Sequence, residues 1–122
     1  MGYYTNFNLE IDGPVDACDK AIADMESAVL EAEAKGRPKY GSLEDNLCYL
    51  YAVYEGNADS SKWYDHEKDM REISKRHPDV LFTLSGEGEE SGDIWKAYHK
   101  NGKAQECRAK ITFDDYDEIK LI

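Results

Sequence analysis

Residues 84–95 read LSGEGEESGDIW, a stretch in which glycines and acids alternate and which could hold a phosphate or a metal ion. A phosphate loop needs glycines whose backbone N–H groups face the anion, usually with a lysine and a following helix. Here Glu87, Glu89 and Glu90 stand where the phosphate would sit, and a strand pattern follows. We therefore exclude a phosphate loop.

A calcium loop needs oxygen ligands that alternate along the chain. Glu87, Glu89 and Asp93 supply some of them, but the spacing matches no EF-hand and the terminal bidentate glutamate is missing. An acidic turn between two strands accounts for the same residues. The stretch predicts a turn, with no metal site and no cofactor.

His66, in WYDHEKD, has carboxylates on both sides in sequence, and an imidazole near a carboxylate can act as a general base or a metal ligand. On a helix, adjacent residues point apart, whereas Asp69 and Met70, at i+3 and i+4, share the face of His66, so Asp69 is the one nearby carboxylate on that face. The chain has no His-x-x-x-His, Glu-x-x-His or Gly-x-Ser-x-Gly motif. We predict a solvated histidine and no catalytic residues. The alternative is a metal-dependent hydrolase that uses His66 and the carboxylates of residues 87–93.

The helix that follows Asp12-Gly13-Pro14 is predicted to run from residue 15 to near residue 36, because its apolar residues recur at spacings of three and four. Its outer face carries a row of acids that we select as candidate partner-binding residues: Asp16, Asp19, Asp24, Glu26 and Glu31. Such a row can imitate the charge of a nucleic-acid backbone and occupy a basic groove of another protein. It can equally serve only to keep a small protein soluble.

The charge balance of the whole chain favours a basic partner. Its 122 residues carry 26 acids against 15 bases, a net charge of −11 that repels phosphate backbones and anionic lipids. Direct binding to nucleic acid or to a membrane surface is therefore disfavoured, and a basic protein partner is favoured.

The predicted order of elements is strand, helix, strand, helix and then three strands. Residues 3–11 alternate with the period of a half-buried strand, and the apolar run LCYLYAVY at residues 47–54 is assigned to a strand by its length and aromatic content. A second helix is predicted over about residues 61–76, capped by a serine and stopped by Pro78. Another strand follows over residues 80–84.

Asn101-Gly102 predicts a type I′ turn between strands at residues 93–100 and 103–113. The opposed pairs are then Lys100 with Lys103, Tyr98 with Gln105, Trp95 with Arg108 and Ile94 with Ala109. We take the face of Ile94 and Tyr98 to be the core, which leaves Trp95 and Arg108 on the uncovered face. There the pair is a candidate partner-binding anchor, a purely local cation–π contact or part of a homodimer surface.

These elements predict a single acidic α+β domain over residues 1–122. The expected architecture is a ferredoxin-like sandwich, with an antiparallel-rich sheet, two helices on one face and a C-terminal β-hairpin, and with residues 114–122 packed at one edge. Cys18, Cys48 and Cys107 are read as reduced core thiols. With no leader and no membrane span in the sequence, we expect a cytoplasmic protein.

The block SSKWYDHEKDMREISKRHPDVLFTLSGEGEESGDIW and the hairpin AYHKNGKAQECRA resemble the YubB-type ferredoxin-like domains of plasmids and bacteriophages. In those domains a tryptophan, a helix, a proline and a strand precede an acidic, glycine-bearing hairpin. The resemblance covers about half of the chain and implies a ferredoxin-like fold and a mobile-element origin. It implies no activity and no catalytic residues.

Together these observations predict a bacteriophage or plasmid protein that acts by binding in the host cytoplasm. The preferred hypothesis is an inhibitor or modulator of a basic host protein that handles nucleic acid, such as a defence enzyme. A metal-dependent hydrolase and a self-associating structural protein remain as alternatives.

Overall fold

The computed structural model describes residues 3–35, 43–56 and 58–122. Along the chain the elements are β1 (Thr5–Asp12), α1 (Val15–Lys35), α2 (Leu43–Glu55), α3 (His66–Arg76), β2 (Leu81–Gly88), β3 (Ile94–Lys100), β4 (Lys103–Arg108) and a 3₁₀ turn at Glu118–Lys120. The strands form one sheet in the order β1-β2-β3-β4, and each neighbouring pair is antiparallel. The fold is therefore α+β with a four-stranded antiparallel sheet.

The predicted first strand and first helix are confirmed as β1 and α1. Helix α1 packs on α2, which in turn packs on β1, while α3 contacts β2, β3 and β4. Val15 follows Pro14, whose carbonyl accepts the hydrogen bond from the Cys18 N–H at 2.9 Å. Proline suits this position because it has no N–H to leave unpaired.

The strand predicted over residues 47–54 is wrong, because this stretch lies within helix α2. Leu47, Leu50 and Val53 are buried at helical spacing, while Tyr49 and Tyr51 are half-buried beside them. A helix covered by α1 on one side and by the sheet on the other has an apolar pattern nearly as continuous as that of a buried strand. Periodicity alone therefore could not separate the two.

The helix predicted from about residue 61 begins at His66, five residues later, and ends at Arg76, before Pro78 as expected. Ser61 does not cap it. Its backbone N–H and C=O instead exchange two hydrogen bonds of 2.9 Å with Thr5 of β1, so this residue pairs with the sheet edge.

The predicted hairpin register is confirmed: Trp95 pairs with Arg108 and Lys100 with Lys103. Asn101 and Gly102 have φ of 49° and 79°, as a type I′ turn requires. Strand β4, however, ends at Arg108, five residues short of the predicted end.

The sheet has a helix face and an open face. The helix face carries the buried side chains Leu9, Phe82, Leu84, Trp95, Ala97 and His99 together with the half-buried Phe7 and Ile11. The open face carries Asn6, Asn8, Glu10 and Asp12 of β1, Leu81, Thr83, Ser85 and Glu87 of β2, Ile94, Lys96, Tyr98 and Lys100 of β3, and Lys103, Gln105 and Cys107 of β4. The core thus lies between the helix face and the helices.

Residues 109–122, called here the 109–122 segment, are exposed throughout. The prediction that residues 114–122 pack at an edge of the sheet is therefore wrong. The segment carries six large apolar side chains and four acids, and the domain covers none of them.

Candidate functional site

Four of the five acids selected on α1 lie on its exposed side: Asp16, Asp19, Glu26 and Glu31. A helix rises about 1.5 Å per residue, so these four span roughly 22 Å of a rigid rod. The sequence interpretation placed them correctly because a 3.6-residue period fixes which residues share a helix face.

Asp24, the fifth acid, does not belong to that exposed row. Its Oδ2 lies 2.9 Å from Nε2 of His77 and 3.7 Å from Nη1 of Arg76, both at the C-terminal end of α3. Its carboxylate therefore makes an intramolecular contact that links α1 to the end of α3.

Trp95 does not lie on the open face, and its predicted exposure is wrong. It is 7% exposed on the helix face, where its indole stacks on His66 with ring centroids 4.8 Å apart and planes 16° from parallel. On the neighbouring strand it faces Gly86, and a Cβ at that glycine would overlap the indole. The small partner makes the space that lets this large side chain turn toward α3.

Arg108, the predicted partner of Trp95, is exposed at the end of β4. Its Nη1 donates to Oδ1 of Asp93 at 2.6 Å, and its Nε lies 3.4 Å from Oε1 of Glu106. The role of the pair as a partner-binding anchor remains a prediction, but Trp95 has little surface to offer.

An aromatic cluster surrounds His66 at the start of α3. Phe7, Trp63 and Trp95 all lie within 6.1 Å of it between ring centroids, and Trp63 Nε1 donates to Oδ2 of the buried Asp69 at 2.8 Å. Burial lowers the pKa of His66. The predicted solvated histidine is therefore wrong: the ring is partly buried, and it is held by aromatic contacts.

His99 on β3 is fully buried beside this cluster. Neither of its ring nitrogens has a hydrogen-bond partner among the described residues, and the same holds for Nδ1 of His66. Burial lowers the pKa of His99 to about 4, with a smaller contribution from the Arg71 charge. This buried histidine is absent from the sequence predictions, because the predicted facing of residues 94–100 places His99 on the uncovered side of the sheet.

Hydrogen bonds to Tyr3 and Arg108 hold the loop at residues 89–93 in place. Asp93 accepts from the Tyr3 hydroxyl at 2.6 Å as well as from Arg108, and the Tyr3 oxygen accepts from the Glu90 N–H at 3.0 Å. The hydrogen bond from Tyr3 lowers the pKa of Asp93 first, and the bond from Arg108 adds to the effect. The loop joins β2 to β3, so the predicted turn between two strands is confirmed.

The described residues do not supply the ligand group that the metal-dependent alternative requires. Residues 3–35, 43–56 and 58–122 contain no group of three or more His, Cys, Asp or Glu side chains placed to hold a metal ion. Cys18 and Cys107 are free thiols, and Cys107 faces the open side rather than the core. The side chain of Cys48 lies outside the described residues.

Two shallow depressions lie on the open face. One, of about 470 Å³, includes Ile94, Lys96 and Cys107 in its lining, and the other, of about 510 Å³, includes Tyr98 and Lys103. The first depression reaches from β1 to β4, and the second lies mainly over β3 and β4. The face of Ile94 and Tyr98, which the sequence predicts to be the core, therefore carries both depressions.

The 109–122 segment is the other feature that sequence reasoning missed. Six large apolar side chains in it are exposed: Ile111, Phe113, Tyr116, Ile119, Leu121 and Ile122. Whether these side chains are covered depends on the rest of the molecule, so sequence periodicity could not predict their exposure.

Comparisons with known proteins find no protein-family model, no curated protein and no solved structure that matches this chain. Among the described residues, no helix combines the length and apolar character needed to cross a membrane. The resemblance to the YubB-type domains thus remains a prediction from the sequence.

Proposed function

We propose that this protein acts by binding a basic partner protein through the acidic outer side of α1. The observation that carries the proposal is the row of exposed acids formed by Asp16, Asp19, Glu26 and Glu31. A helix holds such charges at fixed intervals, so a partner can bind them without the entropic cost of ordering a flexible chain. A basic groove that normally receives a phosphate backbone has the complementary charge.

The net charge of −11 supports the same class of partner. A field of this sign raises the rate at which a basic protein is encountered and disfavours direct contact with nucleic acid. The full proposal is an inhibitor or modulator of a host protein that handles nucleic acid, carried by a bacteriophage or plasmid and active in the host cytoplasm. Membership of the ferredoxin-like, YubB-type group is part of this proposal.

The described geometry gives no support to the hydrolase alternative. His66 packs against Trp95 and Phe7, and Asp93 is engaged by Tyr3 and Arg108. A general base must reach the proton that it removes, and neither group is placed on an open site with the other.

The test is an affinity capture from bacterial lysate at low and moderate salt, with mass-spectrometric identification of the bound protein. In the test variant the four exposed acids of α1 are replaced by lysine: Asp16→Lys, Asp19→Lys, Glu26→Lys and Glu31→Lys. Asp24 is left unchanged because its replacement would also break the contact with α3. We expect one predominant basic protein with the unchanged chain, weaker capture as salt rises, and none with the variant.

A matched control reverses four exposed acids elsewhere: Asp59→Lys, Glu72→Lys, Glu89→Lys and Glu90→Lys. Both variants change the net charge equally, so only the position of the acids differs. Capture retained by the control and lost by the α1 variant supports the proposal. Equal capture by both variants, or loss in both, contradicts a specific role for α1.

A further inference from the structure

The 109–122 segment exposes far more apolar surface than a chain of its length normally leaves in water. Phe113 is 91% exposed and Ile119 90%, and the segment holds half of the large exposed apolar side chains of the described residues. Single exposed apolar residues are ordinary, but a contiguous group of them marks an interaction site.

The same segment is acidic. Asp114, Asp115, Asp117 and Glu118 stand among its apolar residues, against Lys110 and Lys120. Lys120 Nζ lies 3.8 Å from Oδ2 of Asp114, but both side chains are exposed, and such a pair contributes little. A surface that receives this segment must combine apolar depressions with positive charge.

The open face provides such a surface on one of its halves. Among the described strand residues of this face, the β3–β4 half carries Lys96, Lys100 and Lys103 and no acid, whereas the β1–β2 half carries Glu10, Asp12 and Glu87 and no base. The depression lined by Tyr98, Lys100 and Lys103 lies on the basic half, and the one lined by Ile94 and Lys96 extends from that half across β2 to β1. In a chain with a net charge of −11, this division by sign makes the basic half complementary to the 109–122 segment.

We propose that two copies of this chain form a dimer in which each lays its 109–122 segment across the basic half of the other's open face. The residue intervals agree: Lys96 and Lys100 are four residues apart on a strand, about 13 Å, and Asp114 and Glu118 are also four apart in a chain without regular structure up to residue 117. The contact is reciprocal, as a two-fold interface requires.

The chain's own open face is a poor receiver for its segment. Strand β4 runs from Lys103 to Arg108, so the chain leaves the sheet at the end opposite to Lys100 and Lys103. There the Ala109 N–H donates to the Ile94 carbonyl at 2.9 Å, and Ile111 lies beside Gly92 of the β2–β3 loop. To reach Lys100 and Lys103 of its own face, the chain would have to turn back after Arg108. The open face of a second copy can receive the segment without such a turn.

The apolar area available is of the size that a stable interface needs. Phe113 and Tyr116 each bury about 150–250 Å² when covered, so two reciprocal segments contribute roughly 600–1,000 Å² from these rings alone. Specific interfaces start near 1,200 Å² in total, and the aliphatic side chains and the receiving face supply the remainder.

The first test is sedimentation of the full chain at about 150 mM salt over about 1 μM to about 1 mM, which covers dissociation constants within that range. We expect a monomer–dimer equilibrium whose dissociation constant rises at least about tenfold in Phe113→Gln/Tyr116→Gln, which removes the aromatic anchors. The control Val15→Gln/Leu30→Gln changes two exposed apolar residues of α1 and leaves the equilibrium unchanged. A monomer at every concentration, or a dimer indifferent to the segment variant, overturns the proposal.

The second test exchanges charges between the two surfaces. One variant carries Asp114→Lys, Asp115→Lys and Glu118→Lys, and the other carries Lys96→Glu, Lys100→Glu and Lys103→Glu. Each alone opposes like charges and is expected to stay monomeric, whereas an equimolar mixture restores both contacts and forms a mixed dimer. A mixture that remains monomeric overturns the proposal. Neither variant touches the four α1 acids, so this result is independent of the proposed binding to a basic protein.

Discussion

His99 is the residue whose environment departs furthest from what its chemistry favours. It is fully buried on the helix face, and its ring nitrogens have no hydrogen-bond partner among the described residues. A buried polar group in this state costs about 1–3 kcal/mol. Its neighbours include the Arg71 charge and His66, both of which oppose a positive charge on the ring, while Glu67 favours it.

We expect the free energy of unfolding to fall as the pH is lowered from 6.5 toward 4. The pKa of His99 is about 4 in the folded state against 6.5 for the free side chain, so the folded state binds fewer protons. His99 adds its full contribution to the free energy of unfolding above pH 6.5. This contribution is lost as the pH falls through the folded pKa, and the total loss is about 3 kcal/mol. His66 acts in the same direction, because its pKa is also lowered.

Urea unfolding of the unchanged chain and of His99→Leu, from pH 7 to pH 4, measures this effect. At pH 7 the leucine variant should be as stable as the unchanged chain or up to about 1 kcal/mol more stable, since no hydrogen bond within the described residues is lost. The difference in favour of leucine should grow as the pH falls. A variant destabilised by more than about 2 kcal/mol at pH 7 would show that the imidazole is satisfied in solution.

At the scale of elements, the facing of strand β3 rests on Gly86. The sequence pattern of β3 allows either of its two sets of alternating side chains to face the helices. The Asn101-Gly102 turn fixes the pairing register of β3 with β4. What directs Trp95 toward α3 is the space over Gly86 on β2, together with the aromatic surface of His66 and Phe7.

Gly86→Ala is therefore expected to destabilise the protein by about 1–3 kcal/mol, the usual cost of overpacking a core. The added Cβ overlaps the Trp95 indole and displaces it from its stack on His66. Urea unfolding followed by tryptophan fluorescence measures both the stability and the change around the indole. The double variant Gly86→Ala/Trp95→Leu should show non-additive losses, and strictly additive losses would mean that the two residues do not compete for space.

The contact of α1 with the end of α3 depends on the pair formed by Asp24 and His77. Their side chains are 30% and 14% exposed, and the 2.9 Å separation is that of a good hydrogen bond. Asp24→Asn is expected to lower the free energy of unfolding by about 1 kcal/mol, as for a partly exposed charged hydrogen bond. Asp19→Asn, which changes an exposed acid of the same helix, is the control and should be neutral. Equal stability of the two variants would contradict a structural role for Asp24.

At the scale of the whole molecule, the uneven placement of charge matters more than its total. Within a net charge of −11 the molecule has a basic half-face on β3–β4 as well as the acidic side of α1 and the acidic 109–122 segment. The net charge of the chain predicts a basic partner protein. Only the pairing of the strands shows that the molecule itself also carries a surface complementary to its own acidic segment.

The sequence by itself determined β1, α1, the end of α3 and the register of the hairpin. Each depends on local rules: an alternation, a helical spacing, a proline stop and a turn that needs positive φ. It also determined that Asp16, Asp19, Glu26 and Glu31 share the exposed side of α1, whereas the contact of Asp24 with His77 was decided by the tertiary structure. Tertiary structure alone decided that residues 47–54 are helical, that Trp95 and His99 are buried, and that the 109–122 segment is exposed. These outcomes depend on which surface is covered by another element, and residues distant in the chain, such as Gly86 for Trp95, decide that.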